Sequence, residues 1–189
     1  MLINTIQNPK QNSNLILQTS NPRPIAWIVT EDKNGVINIA PYSLFTPLSF
    51  DPATLIVSFR AKEDGSQKDT LNNIHHSKKC TICMVKTEDM ESMHKTSQEI
   101  PSSESEAQKF EIETQTVLED FPPIISSSPI AYFCEFSQEI TLEAEGTIPL
   151  ILTIKEIFVD DDIIKNRDSL EIKFDGVGHI VGDRYSIKE

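Results

Sequence analysis

The chain has 189 residues, of which 38% are hydrophobic and 24% charged, and its formal net charge is −12. That length suits one domain with a sizeable core, and such an acidic balance excludes a nucleic-acid partner, because phosphate binding needs a basic surface or stripe. No apolar run approaches membrane-spanning length, residues 1–10 lack the basic start and apolar centre of a secretory signal, and three cysteines make a poor disulfide framework, so the expectation is a cytoplasmic protein with no membrane partner.

In chain order the pattern is mostly β. Ile25–Thr30 and Val36–Ala40 are short apolar runs separated by Asp32-Lys33-Asn34-Gly35, where Asn-Gly supplies the positive φ angles of a tight hairpin turn. The hairpin delivers Pro41-Tyr42-Ser43-Leu44-Phe45-Thr46 to a defined place. Backbone donors, hydroxyls and aromatic rings lie close together there, which suits a flat, polar-edged ligand better than plain core packing. A third strand, Leu55–Phe59, ends at Arg60.

Ser66-x-x-Asp69 has the form of a capping box and opens a helix in which Leu71 and Ile74 recur at helical spacing. A helix start presents unpaired N–H groups and the positive end of the macrodipole, which together favour an anion. Lys68 adds a charge, Thr70 a hydroxyl, and Arg60 approaches from the strand end. The plainer alternative is that Ser66 only caps the helix while Lys68 and Asp69 pair with solvent or with each other.

Cys80-Thr81-Ile82-Cys83 has CxxC spacing but lies in an apolar β-prone run, Cys80–Val85, so its thiols read as buried strand side chains. A zinc site would need two further ligands that the sequence does not offer nearby. A second helix is expected over Glu88–Ser97, with Met90, Met93 and His94 on one face, followed by a polar surface loop from Ser97 to Lys109. After the break at Phe121-Pro122-Pro123 come strands at Ile130–Ser137, Ile140–Glu145 and Ile148–Phe158. With no internal repeat and no linker, the chain reads as one β-barrel with helical insertions. His75, His76, His94 and His179 read as structural or solvent-exposed side chains. No G-x-S-x-G elbow and no GxGxxG appear, and Asp160-Asp161-Asp162 reads as a solvated turn, so neither hydrolase chemistry, a metal centre nor a Rossmann domain is supported.

Several segments occur in a telling order: Pro22-Arg23-Pro24-Ile25-Ala26-Trp27, the Asn-Gly hairpin, Asn38-x-Ala40-Pro41-Tyr42-Ser43-x-Phe45, Asp51-Pro52, Ser66-x-Lys68-Asp69-Thr70-Leu71, Ser128-Pro129-Ile130-Ala131 and Gly182-Asp183-Arg184-Tyr185. In these the chain resembles the flavin-reductase-like FMN-binding split barrels that include flavoredoxin, over about Asn21 to Ser186. The resemblance implies a split β-barrel over residues 1–189, homodimeric, with FMN at the subunit interface. It implies a phosphate cradle from Arg60, Ser66, Lys68, Asp69 and Thr70, and a ring site from Ser43, Leu44, Phe45 and Thr46 with Ser58 on the neighbouring strand. Trp27 flanks the flavin or belongs to the core, and Arg23 reaches the flavin or the dimer partner. NAD(P)H is implied as a transient substrate, with a small molecule or a protein as electron acceptor. The flavin carries the chemistry, so no protein residue is assigned a catalytic role. A histidine stands near the nicotinamide in a related group of reductases, which makes His179 the histidine to test first. Two alternatives stay open: an FMN electron carrier that does not turn over NAD(P)H, and a related split-barrel protein holding pyridoxal phosphate or haem.

Overall fold

The computed structural model describes residues 2–4, 6, 9–62, 64–142 and 146–187. In chain order the elements are α1 (Pro9–Thr19), β1 (Arg23–Pro24), β2 (Ala26–Glu31), β3 (Ile37–Tyr42), β4 (Phe45–Phe50), β5 (Ala53–Arg60), α2 (Asp69–Ser77), β6 (Lys79–Met84), α3 (Met90–Lys95), α4 (Glu106–Lys109), β7 (Thr114–Gln115), β8 (Ile124–Ile125), β9 (Ile130–Glu139), β10 (Thr147–Val159), β11 (Ile164–Asn166), β12 (Glu171–Ile172), β13 (Gly178–Val181) and β14 (Arg184–Ser186). Among the described residues no helix is long and apolar enough to cross a membrane.

Seven strands form one antiparallel sheet in the order β3-β2-β6-β9-β10-β5-β4. The β2–β3 hairpin turns where the sequence predicts. Asp32 Oδ1 accepts from the N–H groups of Asn34 and Val36, both at 2.8 Å, and Gly35 takes φ +82°, a conformation that disfavours any residue with a Cβ. Successive side chains of a strand point to opposite faces, so each strand feeds two cores. Ala26 and Ile28 of β2, Leu55, Val57 and Phe59 of β5, Cys80 and Ile82 of β6, Cys134 of β9 and Leu150 and Leu152 of β10 share one buried cluster. Strands from both halves of the sheet meet there, so the sheet has rolled up around it. Leu71 and Ile74 of α2 join the cluster and close one end of the roll.

The opposite face packs Trp27, Val29, Ile39, Cys83, Ala131 and Phe133 against Met93 of α3, the β8 pair Ile124 and Ile125, and Val177. Cys80 and Cys83 therefore face opposite ways. An odd offset within a strand sends their sulfurs to different cores, and they cannot bridge each other.

Among the described residues the roll does not close through hydrogen bonds. β3 ends one side of the sheet and β4 the other, and the two sides meet through side chains, with the Tyr42 and Phe59 rings edge to face at 4.7 Å between centroids. This is a split barrel, as the fold expectation has it.

Four local expectations need correction. β9 runs on to Glu139, and residues 140–142 of the expected Ile140–Glu145 strand are not extended pairs; its last three residues lie outside the described set. Ile140 only donates its N–H to the Pro149 carbonyl at 2.9 Å, closing the β9–β10 connection. The second helix is shorter than Glu88–Ser97: a 3-10 turn over Thr87–Asp89 leads into Met90–Lys95. The Ser97–Lys109 segment is not wholly a surface loop, since it contains α4, whose Glu106 is buried and accepts the Ile39 N–H at 2.9 Å along the edge of β3. Finally, Ser66 does not cap α2. Its hydroxyl donates to Asp64 Oδ1 at 2.6 Å, the extended residue before the helix is Lys68, and among the described residues no side chain caps the helix start.

Candidate functional site

The split between β3 and β5 is where the sequence-predicted residues gather. At the β3–β4 corner, the Leu44 carbonyl accepts the Ser58 N–H at 2.8 Å, and Phe45 pairs with Val57. In an antiparallel ladder, residues alternate between facing the partner and facing away. With Leu44 turned toward β5, the N–H and C=O of Phe45 turn to the outer edge, and among the described residues no further strand pairs with β4 there. The Phe45 ring points inward into the barrel core, while Thr46 is exposed and Ser43, Leu44 and Ser58 are half-buried. Arg60 ends β5, exposed, opposite Thr147.

Two residues beyond Arg60 the chain folds back over the start of α2. Lys62 donates its N–H to the Ser66 carbonyl at 2.8 Å, and its Nζ meets Asp69 Oδ2 at 2.9 Å. Lys68 Nζ meets Glu99 Oε1 at 2.6 Å, so the two lysines of the helix tip are both ion-paired, Lys68 not with its neighbour Asp69 but with the segment after α3. Thr70 is buried and accepts from Asn38 Nδ2 at 2.8 Å, which braces α2 against β3. A cavity of about 90 Å³ opens at this tip, walled by Tyr42, Lys62, Lys68, Asp69, Glu99 and Glu106. Burial pushes the Tyr42 phenol well above the usual tyrosine range; its hydrogen bond with Thr70 opposes this, and the carboxylates of Asp69 and Glu106 add to it. Burial likewise raises Glu106, with the Ile39 N–H bond acting the other way.

A second cavity, of about 200 Å³, lies on the far side of Pro41 and Tyr42 and shares both of them, and Ser97, with the first. Its walls include Ser43, Met93, His94, His179 and Tyr185. The His179 ring stacks on Tyr185 at 5.4 Å, and His94 meets Tyr185 edge-on at 5.9 Å. His179 Nε2 lies 2.9 Å from the Gly182 carbonyl, which can only accept, so Nε2 carries the proton. Its Nδ1 lone pair then accepts from Ser43 Oγ at 2.7 Å, with Arg23 Nη2 at 3.3 Å. Burial lowers His179 below its ordinary value; the Gly182 bond opposes that shift and the Arg23 charge adds to it. His94 Nδ1 is 2.8 Å from the Tyr185 hydroxyl, and burial, with the Asp183 carboxylate, raises Tyr185 so that it keeps its proton.

Of the residues singled out from sequence, the structure brings Ser43, Leu44, Phe45, Thr46 and Ser58 together at the corner and Lys68, Asp69 and Thr70 together at the helix tip. Ser66 sits in the preceding turn, exposed. Trp27 is apart from both groups. It is 1% exposed in the outer-face core and donates its indole N–H to Thr96 Oγ1 at 2.9 Å. Arg23 is buried too, donating to the carbonyls of Leu17 at 2.7 Å, Ser20 at 3.1 Å and Ile180 at 2.8 Å, so it ties α1 to β13. Sequence reasoning did not single out Asn38, Glu99, Glu106 or Tyr185 as lining residues. Asn38 and Tyr185 lie inside the quoted family segments and were within reach of it; nothing local to Glu99 or Glu106 distinguishes them from the other acids of a Ser/Glu-rich stretch.

Residues 19–172 match the flavin reductase like domain family, and the chain belongs to that family. A protein of Aquifex aeolicus with no assigned function is 27% identical over 177 residues, covering 92% of this chain and 88% of that protein. Among solved structures, nitrilotriacetate monooxygenase component B from Bacillus cereus superposes with a TM-score of 0.89 at 22% identity, over 100% of this chain and 96% of that one. A protein with a split barrel domain from Shewanella frigidimarina superposes with a TM-score of 0.80 at 20% identity, over 95% and 89% of the two chains. At such identities the superpositions establish the fold.

Proposed function

We propose that this member of the flavin reductase like family is an FMN-binding oxidoreductase that takes electrons from NAD(P)H and passes them through the bound flavin to a small-molecule or protein acceptor. The observation that carries the reading is the adjacency of two unlike surfaces along one split: an uncapped helix start with two lysines, and a β-corner whose backbone is turned outward. A phosphate monoester on a short ribityl arm needs the first, and a tricyclic ring with a donor–acceptor rim needs the second.

The donor set fits the group. The amides at the start of α2, with Lys68 and Lys62, would hold the phosphate, while Arg60, at the end of β5, is not among the residues walling that cavity. Phe45 offers backbone N–H and C=O to the ring's rim, and Ser43 is fixed there by His179. When bound, FMN supplies two-electron chemistry that no side chain of this chain provides. The His94–Tyr185 pair keeps a proton at the Tyr185 hydroxyl, on the wall of the second cavity, where a nicotinamide or an acceptor docks transiently. A homodimer with the flavin at the subunit interface accounts for β4, the last strand of the sheet, on which Leu48 is 53% and Phe50 91% exposed.

The test is equilibrium dialysis of the purified protein against FMN with a visible spectrum of the retained flavin, followed by anaerobic mixing with NADH or NADPH. Retention near one flavin per chain and rapid bleaching are expected. No retention at roughly 10 μM FMN sinks the flavin reading. Retention without bleaching by either nucleotide replaces the reductase by an electron carrier.

A further inference from the structure

The helix-tip cavity carries more acid than base: Asp69, Glu99 and Glu106 face Lys62 and Lys68. An arriving phosphate therefore meets lysines that are already neutralised. The two ion pairs are not equivalent. Asp69 is the first residue of α2, so its backbone is held in place by the helix. Glu99 lies on the stretch after α3, where backbone bonds run as far as Gln98, whose N–H reaches the Lys95 carbonyl at 3.2 Å, and resume at Pro101, whose carbonyl accepts the Glu104 N–H at 2.9 Å. Among the described residues no backbone hydrogen bond holds Glu99 or Ile100. The Lys68 pair is what fixes Glu99, and Glu99 is the more exposed partner.

We infer that Glu99 is a specificity-determining residue of the helix-tip site: its carboxylate takes the seat of a ligand's anionic group on Lys68, so that a phosphate-bearing ligand has to displace it while an uncharged one does not, and Glu99 thereby moderates the site's preference for the phosphorylated ligand. The inference rests on the FMN reading above and adds to it a residue from outside the family-like segments. A monoanionic carboxylate on a flexible, half-exposed side chain is a modest competitor, because such pairs are screened and lose side-chain entropy on forming. A phosphate dianion brings more charge and more acceptor oxygens to the same ammonium and to the helix amides. Glu99 thus lowers affinity for every ligand that needs Lys68 and leaves ligands that do not need it unaffected. Once displaced, its charge remains near the bound phosphate unless the 98–101 stretch swings outward.

Removing the charge while keeping the shape isolates this effect. Flavin fluorescence titrations of the wild type and Glu99→Gln with FMN and with riboflavin are the experiment, with thermal melts to show that the variant folds. Glu99→Gln is expected to tighten FMN about fivefold and to leave riboflavin within about twofold. An unchanged FMN affinity, or equal changes for both flavins, overturns the role of Glu99 and leaves the FMN reading standing. Absence of FMN binding to both proteins removes the reading and the inference together.

Discussion

Ser43 and His179 lie 136 positions apart in the chain, yet their side chains share a 2.7 Å hydrogen bond in which the serine donates to an imidazole kept neutral. The bond ties the β3–β4 corner to the β13–β14 hairpin, so the conformation of a candidate ligand-binding corner is set by a residue near the C-terminus. Arg23 stands behind that imidazole and discourages its protonation.

That arrangement predicts a pH dependence of known sign. With His179 lowered in the folded protein, the unfolded chain takes up this proton first as the medium is acidified. The stabilisation is present above the ordinary histidine range, about 6.5, and is lost as pH falls through the lower folded value. Thermal melts between pH 7.5 and 5.5 are therefore expected to fall less steeply for His179→Gln than for the wild type. Parallel curves for the two proteins count against a proton-linked role of this residue.

Lys68→Ala is expected to weaken FMN about tenfold and riboflavin by less than twofold, because only the phosphate engages the ammonium. The lost Glu99 pair moderates the effect by removing a competitor at the same time. Comparable weakening of both flavins in a dialysis or fluorescence titration contradicts the phosphate cradle.

Trp27 and Thr96 give a stability prediction independent of any ligand. Thr96→Val preserves shape and removes the oxygen that accepts the buried indole N–H, leaving that donor unpaired at a cost of about 1–3 kcal/mol. Urea denaturation followed by the fluorescence of the single tryptophan measures it directly. A change below about 0.5 kcal/mol means that another acceptor reaches the ring.

The three thiols are all fully buried, and burial pushes Cys83 up to about 12 and Cys134 well above the usual thiol range. At pH 8 the native protein is expected to react with an aromatic disulfide reagent orders of magnitude more slowly than the denatured chain, which titrates three thiols. Fast reaction of even one native thiol shows that a core strand opens readily.

The outcome separates what a local pattern can express from what it cannot. The strands around the barrel were legible because apolar, β-branched runs bounded by turn residues are a short-range signal, and the Asp32–Gly35 hairpin carries its own chemistry. CxxC was correctly read as strand interior from its apolar setting. β4 was missed because Pro47 and the exposed Leu48 and Phe50 break the alternation that marks a half-buried strand; an edge position tolerates both. α1 was missed because its apolar residues, Leu15 to Leu17, are contiguous rather than spread along a helical stripe. The Ser66-x-x-Asp69 spacing misled because Asp64, two residues earlier, claims the serine hydroxyl first. Glu99 on Lys68 and Glu106 on Ile39 join segments 31 and 67 positions apart, and no window of sequence contains both ends.

β4 has a further consequence. It is anchored on a single flank, and the ring-side corner hangs from its first residues, so whatever covers Phe50 and Leu48 also stiffens the place where a flavin would rest. Any cover supplied by a second copy makes holding the cofactor and pairing of the chains two halves of one thermodynamic linkage. Dilution would then loosen the grip on the flavin, and saturating flavin would keep the pairs together at concentrations where the bare protein falls apart.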